Sequence, residues 1–183
     1  MSVFTNPASG SAEHARAYTE AILGLLGSAD PIQVLRSTPD AVERAIDGMS
    51  DAQMSQREAP GKWSVRHVLR HLADSDLVWA WRLRTVLAQD RPQLTGYDQD
   101  AWADRLRYDE APPHESLAEF RVVRRGNLRL LEHAAPDDLA RVGVHVERGE
   151  ESVAHMMRLY AGHDLLHVRQ IERIREASSG TAR

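Results

Sequence analysis

The 183-residue chain contains no cysteine. Disulfides, a thiolate-bound zinc and a cysteine nucleophile are therefore excluded. Lysine is nearly missing as well: Lys62 stands alone, so arginine carries almost all of the positive charge. No run of roughly 18 apolar residues occurs, so the sequence offers no membrane span and no membrane partner is expected. The opening stretch from Met1 to Pro7 lacks a basic segment followed by an apolar run. No secretory signal is therefore read there, and the expected location is the cytoplasm. Positive charge is not in excess either: a net charge of −4 and a pI near 6.1 argue against nucleic acid as a partner.

What is present is an ordinary soluble composition, 42% hydrophobic and 27% charged, in a length that suits one domain. Residues 1–12 are expected to form a flexible N-terminus, 13–177 a helical domain, and 178–183 a flexible C-terminus. A first helix is read from Ala12 to Leu26 and closed by Gly27. Asp30-Pro31 and Thr38-Pro39 both read as helix starts, the second leading into Ala41 to Met49. Pro60-Gly61 breaks the chain, and Ser64 caps a helix expected to run to about Gln89. A short helix is expected from Asp98 to Arg107, and a long one from Pro112-Pro113 to just before Pro136. Residues Val142 to Gly149 alternate weakly and read as a loop or small hairpin. The last helix is expected from Glu151 to Ala177. Four substantial helices with few strand signals make this an all-α, helical-bundle sequence.

The nine histidines are the main chemical resource. At about 100° per residue, Met156, Tyr160, His163, His167, Ile171 and Ile174 share one face of the last helix. His163 and His167 thus lie one turn apart in an apolar stripe, a spacing that lets a helix present two metal ligands. The same spacing also suits two histidines that simply bond neighbouring side chains or carbonyls. On the helix after Ser64, His71 lies on the shoulder of the apolar face beside Ser75 and Arg82. His67 lies further round with Arg70 and Asp74, where a solvated surface histidine is expected. His145 sits in the irregular segment and could approach the site from that loop, but nothing in the sequence requires it there.

Several segments together resemble the DinB/YfiT-like superfamily. Lys62-Trp63-Ser64-Val65 and Val68-Leu69-Arg70-His71-Leu72-Ala73-Asp74-Ser75 are similar to its signature. Tyr97-Asp98-Gln99-Asp100-Ala101-Trp102-Ala103 and Glu115-Ser116-Leu117 resemble the YfiT branch, as does Tyr160-Ala161-Gly162-His163-Asp164-Leu165-Leu166-His167. The resemblance spans roughly residues 30 to 177. It implies a DinB-like four-helix bundle with short additional helices, and a homodimer. It also implies one divalent metal ion per chain, nickel or zinc, on His71, His163 and His167. Members are described as metal-dependent hydrolases, and other branches transfer low-molecular-weight thiols such as bacillithiol or mycothiol.

Three imidazoles leave at least one coordination position open, as in catalytic rather than structural sites. Two reaction classes follow: activation of water against an amide or ester, or activation of a small thiol against an electrophile. A zinc peptidase of the H-E-x-x-H type needs glutamate directly after the first histidine, and Asp164 stands there, off the ligand face. The sequence therefore leans to thiol transfer onto a small-molecule substrate. A non-catalytic metal-binding stress protein is the remaining alternative. Arg82 is a candidate clamp for a carboxylate of the thiol, and Tyr160 a candidate donor to a group at the metal. Tyr97 and Trp102 are candidates for the lip of the pocket.

Overall fold

The computed structural model describes residues 12–180, with side chains for 13–178; the rest of the two expected loose ends lies outside the described residues. In chain order the elements are α1 (Ala12–Leu26), α2 (Pro31–Ile46), α3 (Asp51–Ser55), α4 (Val65–Ala88), β1 (Gln93–Leu94), α5 (Gln99–Arg105), α6 (Pro113–His133), α7 (Pro136–Ala140), β2 (Val142–His145), β3 (Gly149–Ser152) and α8 (Val153–Gly180). Helices α2, α4, α6 and α8 form a four-helix bundle, with α1 laid along α8. The chain turns out of α1 at Gly27, whose φ of +56° is a conformation glycine adopts without strain. Gly162 of α8 lets α1 approach closely: a Cβ there would lie 2.3 Å from the Ile22 carbonyl oxygen.

The irregular segment is a hairpin. Strands β2 and β3 pair antiparallel, with His145 opposite Gly149, and β1 adds in parallel so that Leu94 faces His145. The inward positions of β2 are Gly143 and His145 rather than the valines. The last helix continues past Ala177 to Gly180, so Ser178 belongs to it instead of to a loose end; its hydroxyl donates to the Arg175 carbonyl at 2.8 Å.

One expected boundary is overturned. Thr38-Pro39 does not start a helix; α2 runs unbroken from Asp30, whose carboxylate caps the Ile32 amide at 2.9 Å, through Pro39 to Ile46. A proline inside a helix removes the donor that would serve the carbonyl four residues back. That carbonyl belongs to Leu35, and the guanidinium of Arg124 on α6 takes over, its Nη1 donating to it at 2.9 Å. Local sequence reading starts a new helix at Thr38-Pro39 because the substitute donor comes from a distant residue.

Arg124 does more than mend α2. Its Nε donates to Asp76 of α4 at 3.0 Å, and its Nη2 to Asp164 of α8 at 3.0 Å, with a second bond from Nη1 to the same carboxylate. The guanidinium also lies 4.6 Å above the Phe120 ring, within the range of a cation–π contact. Arg124, Asp76 and Asp164 are all buried. These groups form a polar belt at one level of the bundle. Below it lies an apolar cluster around Val42, Leu69, Phe120 and Ile171; above it lies another around Leu35, Trp79, Leu128 and Met156.

Removing one member of a buried ion pair leaves the others unpaired, at a cost of about 3–5 kcal/mol. We expect Arg124→Met to lower stability by about that amount in urea unfolding. Adding Pro39→Ala in the same background should recover about 1 kcal/mol, because an amide at position 39 can serve the Leu35 carbonyl. If Pro39→Ala gives the same change with and without Arg124, the guanidinium does not stand in for the missing amide.

Candidate metal centre

The residues of the Lys62–Val65 segment build one side of the site. Ser64 caps α4 and also bonds the Nδ1 of His67 at 2.8 Å. His67 is therefore buried, contrary to the solvated position read from the helix wheel, and burial holds its pKa below the usual histidine range. Trp63 lies against the first imidazole of interest, its ring 4.8 Å from that of His71 and nearly parallel to His167 at 6.3 Å.

The structure brings His71, His163 and His167 together. The Nε2 of His163 lies 3.0 Å from that of His71 and 3.1 Å from that of His167. One ring nitrogen holds either a proton or a lone pair, so His163 cannot make a well-formed hydrogen bond to each neighbour with the same atom. A shared cation serves all three. Imidazole nitrogens sit about 2.0–2.1 Å from a transition-metal ion, and two of them at roughly right angles are then about 3 Å apart. The donor set therefore fits one divalent ion.

The orientation of His167 is fixed from behind. Its Nδ1 donates to Gln170 Oε1 at 2.9 Å, the Gln170 amide donates to Glu58 at 3.2 Å, and Arg173 holds Glu58 at 2.9 Å. Placing the proton on Nδ1 leaves the lone pair on Nε2, where a ligand needs it. Burial lowers the pKa of all three rings. His163 and His167 are pushed down to about 3, with Arg124 adding to the effect on His163 and His163 to that on His167. His71 is held well below 6.5 by burial and then by its two partner rings.

His163 also lines a cleft of about 630 Å³, counted out to its open mouth. Both candidate reaction residues line it too. Tyr160 stacks on Trp79 at 4.5 Å, with its ring 6.2 Å from that of His163. Its hydroxyl is 3.4 Å from Arg82, which also donates to the Thr95 carbonyl. Tyr97 lines the cleft with Trp102 beside it, ring to ring at 4.6 Å. Asp164 is off the ligand face as expected, but it points into the belt and is committed to Arg124. Sequence reasoning did not place His145 here; it is buried and lines the same cleft. The available signal was the period-two alternation of Val142-Gly143-Val144-His145, whose hydrophobic half pointed to the wrong face.

The lowered pKa values set a sign for pH dependence in the metal-free protein. The folded state keeps the His163 and His167 rings neutral down to about pH 3, whereas the unfolded chain protonates them near 6.5. Their contribution is complete above pH 6.5 and is lost as pH falls toward 3. Asp76 acts in the opposite sense, since burial raises its pKa to about 6. Comparison with a variant separates the two: from pH 7 to 4.5, urea stability should fall more steeply for the wild type than for His163→Gln. Parallel slopes would contradict the assignment.

The comparisons with known proteins agree with this architecture. The DinB superfamily profile matches residues 35–171. A Bacillus mycoides protein is 29% identical over 145 residues, covering 79% of this chain and 83% of its own. YfiT of Bacillus subtilis is 29% identical over 141 residues, covering 76% and 79%. Both are provisionally named metal-dependent hydrolases. The solved structure of Bacillus subtilis YfiT, described as a probable metal-dependent hydrolase with an unusual four-helix bundle topology, superposes with a TM-score of 0.77. It is 27% identical and covers 81% of this chain and 86% of its own. With three imidazoles gathered beside a cleft in a bundle of this topology, the chain belongs to the DinB superfamily.

Proposed function

We propose that this protein is a metal-dependent enzyme that joins a low-molecular-weight thiol to an electrophilic small molecule. His71, His163 and His167 would hold one divalent ion, nickel or zinc. The observation that carries the reading is the convergence of their three Nε2 atoms around His163, which itself lines the cleft. A divalent ion supplies Lewis acidity there, lowering the pKa of a thiol enough to make it a nucleophile without a separate base. That matters because the carboxylate next to His163 is spoken for: Asp164 pairs with Arg124 and is not available to take a proton from water.

The rest of the machinery belongs to this chain. Gln170, backed by Glu58, keeps the lone pair of His167 on the correct nitrogen. Trp63 covers the imidazoles from the α4 side, and Tyr97 and Tyr160 wall the cleft in which the electrophile would sit. The sulfur would bond to the electrophilic carbon, the leaving group would depart with the electron pair, and the thiol proton would pass to solvent. A second reading is hydrolysis, with an amide or ester as substrate; the names of the relatives, metal-dependent hydrolases, favour hydrolysis without giving its substrate.

The two are separated by assaying nickel- and zinc-loaded protein with bacillithiol and monochlorobimane, beside a nitrophenyl ester without thiol. We expect metal-dependent conjugation that disappears in His163→Ala. Thiol-free ester hydrolysis lost in the same variant would support the second reading, and neither activity would overturn both. Gln170→Leu should weaken metal affinity about 10–100-fold in a chelator competition, the usual effect of losing a group that orients a ligand.

A further inference from the structure

The cleft carries a feature that the metal chemistry does not use. Two arginines line it, Arg82 and Arg148. Arg148 is neutralised by Glu151, which it engages through Nε and through Nη2 at 2.9 Å. Arg82 is only 5% exposed, and among the described residues no carboxylate pairs with it. Its neighbours are neutral oxygens, the Thr95 carbonyl and the Tyr160 hydroxyl. A buried guanidinium without a counter-ion is unfavourable until an anion joins it.

His145 completes the arrangement. It is 2% exposed, and the backbone amide of Glu147 donates to its Nδ1 at 3.2 Å. That bond requires a lone pair on Nδ1, so the proton of the neutral ring is on Nε2. The Nε2 is buried and, among the described residues, has no hydrogen-bond partner. Burial, followed by the charges of Arg148 and Arg82, holds its pKa near 3 and so keeps the ring in this neutral, donating form. Pairing of β2 with β1 and β3 fixes the ring in place.

We propose that Arg82 and His145 form a built subsite for a single carboxylate of the small molecule that enters this cleft. Arg82 supplies the charge, and the Nε2–H of His145 supplies a directed donor. Arg82 offers one guanidinium without a paired carboxylate, which matches one carboxylate: Arg148 is already held by Glu151, and Glu147 on the cleft wall works against a second negative charge. Tyr160 links the subsite to the metal end, lying between Arg82 and His163. The inference rests on the functional reading above only in taking His163 as the reacting end.

The test uses ligand-observed NMR titration of zinc-loaded and chelator-stripped protein. The probes are N-acetylalanine, its neutral amide, and propyl phosphate as a dianion. Losing a charged hydrogen bond typically changes binding by about tenfold or more. The acid should bind at least about tenfold tighter than the amide in both protein forms. Arg82→Gln should remove most of this preference, Arg82→Lys should keep part of it, and His145→Phe should reduce it by a smaller factor. Equal binding of acid and amide would overturn the proposal, as would a preference that survives Arg82→Gln or exists only with zinc bound. Tighter binding of propyl phosphate would overturn the single-charge assignment. If conjugation fails in the enzyme assay while the carboxylate preference holds, the functional reading falls and the subsite stands; the reverse pattern removes the subsite alone.

Discussion

A guanidinium buried in the centre of a helical bundle has to be met on every side, and meeting Arg124 fixes how the four long helices stand relative to one another. It reaches Leu35 on α2, Asp76 on α4 and Asp164 on α8 from its own place on α6. Burial works against its charge, but Asp164 and Asp76 more than offset that and keep it protonated. Apolar packing above and below is less particular about rotation. A helix turned by one residue still finds a hydrophobic neighbour, whereas it loses this set of bonds.

The consequence for the site is direct. Asp164 follows His163 in the chain, and Asp76 lies five residues beyond His71 on the same helix. Fixing the two carboxylates therefore fixes the azimuth of both histidine-bearing helices. The imidazoles lie in the gap between the two apolar clusters, where the belt has already made a polar layer. A second line of contacts, from Arg173 through Glu58 and Gln170, trims the orientation of His167. The open side of the layer is left to the cleft, walled by α1 where Gly162 admits it.

Much of this was legible in the sequence because it is local. Helical periodicity and caps such as Ser64 gave most boundaries to within a few residues, and the wheel put His163 and His167 on one face with His71 as their nearest match. What was not legible depends on partners far away in the chain. Pro39 reads as a helix start until Arg124 is known to serve Leu35. His67 reads as exposed because a wheel does not show the loop that folds over it from Arg57 to Ser64. His145 could be given no more than an optional approach from a loop, because hydrophobic alternation favours the valines of β2 and only the sheet register turns the histidine inward. Asp164 was placed correctly off the ligand face, but its role in the belt needed Arg124 from another helix.

In this frame three imidazoles are positioned to share one ion. X-ray absorption spectroscopy on the nickel- or zinc-loaded, untagged protein tests it most directly. Three imidazole nitrogens are expected at about 2.0–2.1 Å from the ion, falling to two in His71→Ala. A spectrum with fewer than two imidazoles in the wild type, or one unchanged by His71→Ala, would contradict it.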